Sequence, residues 1–122
     1  MKILLAPSET KKSGGEFKKL EVESFSFSKK EKLYVSNLYN EFLKNATNDE
    51  LIKLLGIKKE SDLKNYKGVD LFNDPTMSAI ERYTGVAYNY LDYDSLKKSH
   101  KEFIDENLII FSNIFGALRA SE

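Results

Sequence analysis

Two uninterrupted apolar runs frame the chain. Ile3-Leu4-Leu5-Ala6 is closed by Pro7, and Leu108-Ile109-Ile110-Phe111 stands near the other end. Runs this short suit buried strands better than helices, so strands are expected near 2–6 and 107–112. Most of what lies between reads as helix. Ser28 and Glu31 have capping-box spacing, and Val35, Leu38, Tyr39, Phe42 and Leu43 then recur at helical intervals, which predicts one buried face and an end at Asn45. Thr47 and Glu50 repeat the capping spacing and open a shorter helix through Leu55, stopped by Gly56 in a left-handed conformation.

The remaining segments are shorter. Ser8 to Glu16 is polar, contains Gly14-Gly15 and reads as a loop. Phe17 to Phe27 alternates weakly and is expected to be extended and irregular. Ser61 to Tyr66 forms a third short helix. Asp74-Pro75 reads as an N-cap followed by proline in the first turn of a helix over Thr76 to Tyr83. Asp94 is expected to cap a last helix with Leu96, His100, Phe103 and Ile104 on its buried face. Two strands separated by helices predict a mixed α/β (α+β) class, mostly helical with a small sheet, in a single domain over 1–122.

Composition narrows the function. Lys+Arg and Asp+Glu balance at 19 each, so no global charge draws the 122-residue chain to nucleic acid or to an acidic membrane. Any polyanion site is therefore a local patch. The chain has no cysteine, which removes disulfides, thiol chemistry and cysteine-ligated metal centres. The single histidine, His100, has no second His or Cys to help it hold a metal, so it is expected to be packed, and no metal or other cofactor is expected. No apolar run approaches the ~18 residues of a membrane span, and the first residues are too briefly apolar for a signal peptide. These readings place the protein in the cytoplasm, away from membranes.

Arg82-Tyr83-Thr84-Gly85-Val86-Ala87-Tyr88 concentrates the most chemistry. An arginine fork suits phosphate or carboxylate, glycine admits a ligand close to the backbone, and the phenols stack or donate. The same residues also fit a helix end with tyrosines packed in the core. Pro7-Ser8-Glu9-Thr10-Lys11 leaves a strand end, a frequent place for ligand groups; there Glu9 is a base or cation binder and Lys11 a phosphate binder, or the stretch is a solvated turn. Leu54-Leu55-Gly56-Ile57-Lys58-Lys59 resembles a helix-hairpin-helix, whose backbone N–H groups bind DNA phosphates, with Lys58 and Lys59 adding cations. It also fits a plain glycine stop followed by solvated lysines. Gly116 and Arg119 follow the second apolar run. No pair of carboxylates stands out as catalytic; Asp92 and Asp94 read as caps.

Three of these stretches, taken together, resemble signatures of the YaaA-like peroxide stress family (the UPF0246 type). They are Leu4 to Lys11, Arg82 to Tyr88, and Phe111-Ser112-Asn113-Ile114-Phe115-Gly116-Ala117-Leu118-Arg119-Ala120. They keep the family's order and span nearly the whole chain. Ala6-Pro7-Ser8-Glu9 matches the Pro-Ser-Glu branch of the family, so no role for a lysine at position 9 carries over. The likeness covers the family's N-terminal half, and the chain stops at Glu122 where family members continue. The resemblance implies a compact α/β fold, a part in resistance to hydrogen peroxide, binding of DNA and limitation of free intracellular iron, without an accepted enzymatic reaction.

The leading expectation is a non-enzymatic protein that binds double-stranded DNA without sequence preference, with Lys11, Lys58, Lys59, Arg82 and Arg119 contacting phosphates. Ser8, Glu9, Tyr83, Thr84, Gly85, Tyr88 and Gly116 are the pocket candidates. The alternative is an enzyme acting on a phosphorylated or nucleotide-like small molecule, with Glu9 as acid/base and Arg82 and Tyr88 on the substrate. A fold that persists without its site is a third reading. Because the second apolar run is apolar on both faces, it is expected to need cover on both, from a homodimer partner or from a separate C-terminal half chain.

Overall fold

The computed structural model describes residues 1–16 and 19–122. Its centre is a three-stranded sheet in the order β1-β2-β3. Strand β1 (Ile3–Leu5) pairs in parallel with β2 (Leu108–Ser112), with Leu4 opposite Ile109 and Leu5 opposite Ile110. Strand β3 (Gly116–Arg119) returns antiparallel along β2, with Ile110 opposite Leu118. The β2–β3 turn closes tightly: Ser112 Oγ accepts from the N–H groups of Ile114 and Phe115, and Gly116 takes φ +66°. A parallel pair requires a long crossover, and among the described residues every helix lies between β1 and β2.

Both expected strands are present, and the class is mixed α/β, mostly helical. Helix α1 (Lys29–Asn45) ends where expected. Helix α2 (Asn48–Leu55) forms the full capping box, with Glu50 N–H donating to Thr47 Oγ1 at 3.3 Å and Thr47 N–H to Glu50 Oε2 at 2.8 Å. Gly56 ends it at φ +63°. A 3-10 helix, Glu60–Asn65, stands where a third short helix is expected. Residues 19–27 are irregular apart from a 3-10 turn at Val22–Ser24. Phe17, where that segment was expected to begin, lies outside the described residues.

Five local expectations are corrected in whole or in part. Ser28 adopts φ +48° and makes no side-chain cap, so α1 starts without its capping box. The buried positions of α1 are Lys32, Ser36, Asn40 and Leu43, while Val35 and Leu38 are exposed. The second half of the expected stripe is inside, since Leu43 is buried and Tyr39 and Phe42 pack against Leu43, Leu51 and Leu63, whereas earlier along the helix the inward positions go to Lys32, Ser36 and Asn40. Asp74 closes a turn by accepting from Asp70 N–H at 2.8 Å, and the helix after it begins later, at α3 (Ala79–Arg82). Its cap is Ser78, whose N–H and hydroxyl both donate to Glu81. Helix α5 (Lys98–Asn107) follows Lys97 as N-cap; Asp94 instead sits in a 3-10 turn, Tyr93–Ser95, and pairs with Lys12 at 3.6 Å. His100 and Phe103 on α5 are exposed rather than packed.

Burial divides into two clusters. Val22, Phe25, Ile80, Tyr83, Tyr88, Leu108, Ile110 and Leu118 fill the space against one face of the sheet. Leu43, Leu51 and Leu63 tie α1, α2 and the Glu60–Asn65 turn together. The candidate site residues are distributed between these two bodies of packing.

Candidate functional site

The stretch from Arg82 to Tyr88 and the loop after β1 form one unit. Lys11 bridges antiparallel to Tyr83, flanked by Thr84 N–H donating to Thr10 C=O at 3.0 Å and Lys12 N–H to Arg82 C=O at 2.8 Å. Helix α4 (Val86–Leu91) starts at Gly85, so this glycine opens a helix rather than ending one. Gly85 has φ +115° and ψ 179°, a region open in practice to glycine alone. A Cβ there would meet Ser8 Oγ at 2.8 Å. One turn on, Tyr88 O–H donates to Ala6 C=O at 2.7 Å, just past the end of β1. Tyr83 and Tyr88 are both buried and stack with ring centroids 5.4 Å apart.

The cations of this unit are engaged by the protein itself. Lys11 Nζ lies 5.1 Å from the Tyr83 ring centre and donates to the carbonyl of Ser8 at 3.0 Å. Burial lowers its pKa, opposed by the nearby charge of Glu9. Arg82 donates to Lys12 C=O at 2.8 Å and to Thr76 Oγ1 at 3.3 Å, and burial lowers its pKa as well. Glu9 is exposed.

A cavity of about 100 Å³ opens beside the stacked tyrosines, lined by Lys12, Tyr83, Thr84, Tyr88, Asp92 and Asp94 among others. Glu81 also reaches it, so three carboxylates face one lysine, which is already paired with Asp94. That balance disfavours a phosphate there. Arg82, Glu9 and Arg119 are not among its lining residues, so the three groups required of a phosphorylated-substrate site do not converge on it. Arg119 lies elsewhere, donating from Nε to Ser26 Oγ at 2.7 Å with its guanidinium over the Phe27 ring, and Gly116 belongs to the β2–β3 turn.

Lys58 and Lys59 occupy the second body of packing, in the exposed link between α2 and the Glu60–Asn65 turn. Ile57 N–H donates to Ile52 C=O at 3.2 Å, completing the turn around Gly56. The arrangement is helix, glycine turn, helix, with Glu60 and Asp62 in the first turn after the lysines. Those carboxylates reduce the local positive potential.

Burial pushes the Tyr88 phenol up to about 12, with Tyr83 adding to it. Tyr39 and Tyr93 are also pushed up to about 12, each chiefly by burial, and Tyr93 further by its 3.0 Å hydrogen bond to Asp105. A phenol whose folded pKa lies above its ordinary value near 10 stabilises the fold fully below that value and loses this contribution as the pH rises through the folded pKa. Helical circular dichroism is therefore expected to collapse between pH 10 and about 12, together with delayed tyrosinate absorbance. Full tyrosine ionisation near pH 10 with the helices intact would contradict this.

Sequence reasoning missed Lys32, which is buried yet has the same composition around it as the exposed Lys29 and Lys30. It also missed Asp70, which accepts from Asn73, from Phe72 N–H and from Lys44; these contacts hold its carboxyl well below the usual range. Each also depends on a partner far along the chain, Ala117 for Lys32 and Lys44 for Asp70, which no local pattern marks.

A model of the family described as peroxide stress protein YaaA matches residues 1–122. The chain belongs to this family. An uncharacterized protein of Campylobacter jejuni is 41% identical over 124 residues, covering 100% of this chain and 50% of that protein. A UPF0246 protein of Corynebacterium glutamicum is 36% identical over 122 residues, with 47% of its length covered. A UPF0246 protein of Finegoldia magna is 32% identical, with 46% covered. The chain thus spans about half the length of these curated relatives. Among the described residues no helix is long and apolar enough to cross a membrane.

Proposed function

We propose that this YaaA-family chain serves resistance to hydrogen peroxide by binding double-stranded DNA without sequence preference, and that the whole protein helps to limit free intracellular iron. One observation carries the DNA reading. Of the five cations expected to contact phosphate, the side chains of Lys11, Arg82 and Arg119 are bonded to groups of the chain itself, whereas among the described residues those of Lys58 and Lys59 make neither hydrogen bond nor ion pair. They follow a left-handed glycine turn between two helical segments, and both are exposed. Phosphate contacts of this kind position a protein on a duplex without reading bases.

The test is duplex binding followed by fluorescence anisotropy at low salt. The Lys58→Ala/Lys59→Ala double variant is expected to bind about 10-fold more weakly than the wild-type chain while keeping its circular dichroism. Equal affinity of the two would remove this segment from the interface. The iron effect is assigned to the whole protein, and no ligand to this chain.

A further inference from the structure

Among the described residues the sheet is fully covered on one face and only in part on the other. Leu108, Ile110 and Leu118 point into the main cluster, while Leu4, Ile109 and Phe111 share the opposite face through the register of β1 with β2. Leu4 is 65% exposed and Phe111 45% exposed. At the β3 end this face is closed, because Arg119 lies over Phe27 and is bonded to Ser26. Toward β1 it is open, and β1 has no second neighbour among the described residues. Parallel strands almost always have both faces covered, so an apolar strip on a parallel pair calls for an occupant.

We propose that the Leu4–Ile109–Phe111 face is the seat of the other half of a YaaA-family polypeptide, the half that the match to relatives leaves uncovered. The relatives carry about as much chain again as is matched here. Three apolar side chains are far short of the ~1,200 Å² that a stable association between free partners buries. A segment of the same polypeptide does not need that area, because tethering supplies a high effective concentration. The small strip therefore suits a covalently continuous segment better than a second copy or a separate protein.

The chain contains no cysteine, so a single introduced thiol reports on one position. The experiment compares the chain alone with a fusion in which Glu122 is followed by the unmatched half of the Campylobacter jejuni relative. Phe111→Cys and Leu4→Cys are labelled with a maleimide in both forms, and Tyr90→Cys, on the 92% exposed Tyr90 of α4, is the control. Labelling at Phe111→Cys and Leu4→Cys is expected to slow at least ~10-fold in the fusion, with Tyr90→Cys unchanged. Equal rates at both sheet positions in the two forms would overturn the proposal. So would protection in the chain alone that grows with its concentration, which would make the occupant a second copy. A fusion that populates no folded monomer by light scattering and circular dichroism would overturn it too, since a completed face is expected to fold.

Discussion

Gly85→Ala is expected to destabilise the fold by about 3 kcal/mol and to lower the melting temperature by roughly 10 °C. Two effects add. The backbone at φ +115° and ψ 179° lies where a side chain costs ~1–3 kcal/mol. The new Cβ would also stand 2.8 Å from Ser8 Oγ and 3.5 Å from Thr10 Oγ1. Ser8 cannot simply swing aside, because its hydroxyl accepts from Thr10 N–H and so shapes the loop that bridges to Tyr83. Gly56→Ala is the internal comparison. Gly56 also has positive φ, but no atom lies within 4 Å of the added Cβ, so only the backbone cost of about 1 kcal/mol is expected. A Gly85→Ala melting temperature within about 2 °C of wild type would contradict this account of the loop.

Lys32→Ala is expected to cost a similar amount, about 3 kcal/mol, for an unrelated reason. The Lys32 ammonium is buried between the rings of Phe25 and Phe27, at 5.7 Å from each centre. It donates to the carbonyls of Phe27 and Ala117. Glu122, which accepts from Ser26 N–H and Arg119 N–H, is its nearby countercharge. Burial lowers the lysine pKa and Glu122 opposes that shift. Truncation leaves two carbonyls without a donor, a void between two aromatic rings and a carboxylate without its cation; each of these is costly inside a protein. Lys32→Met keeps most of the stem and loses only the charge and donors, so its cost is expected to fall between wild type and alanine. Chemical denaturation of the three proteins orders them; a Lys32→Ala loss below about 1 kcal/mol would mean that water replaces the ammonium.

Elements whose signals are local were legible in the sequence. The two apolar runs became β1 and β2, and the Thr47–Glu50 capping box and the Gly56 stop define α2, because every group they need lies within a few residues. The helix start expected at Asp74-Pro75 failed, because Asp74 is withdrawn by its bond to Asp70 N–H and the helix is capped by Ser78 with Glu81 instead. The stripe Val35, Leu38, Tyr39, Phe42 and Leu43 was right for its second half, which packs against Leu51 and Leu63, but its first half is exposed and burial there went to Lys32, Ser36 and Asn40. Asn40 Oδ1 accepts from Leu71 N–H at 2.8 Å, a partner 31 residues away that no periodicity reveals. The site followed the same division. The family signatures located the Ser8–Tyr88 unit, and the fold brings Ser8, Lys11, Arg82, Tyr83, Gly85 and Tyr88 together as one packed assembly. That its cations are spent on the protein's own carbonyls and hydroxyls depends on side-chain reach across the loop, and only the structure shows it.

Duplex affinity of the folded chain across a salt series, with several unrelated sequences of equal length, tests the DNA reading most directly. Two phosphate-contacting lysines are expected to give a linear log–log decline with a slope of about −2, the same for every sequence. Absence of binding at low salt, affinity indifferent to salt, or a marked preference for one sequence would contradict it.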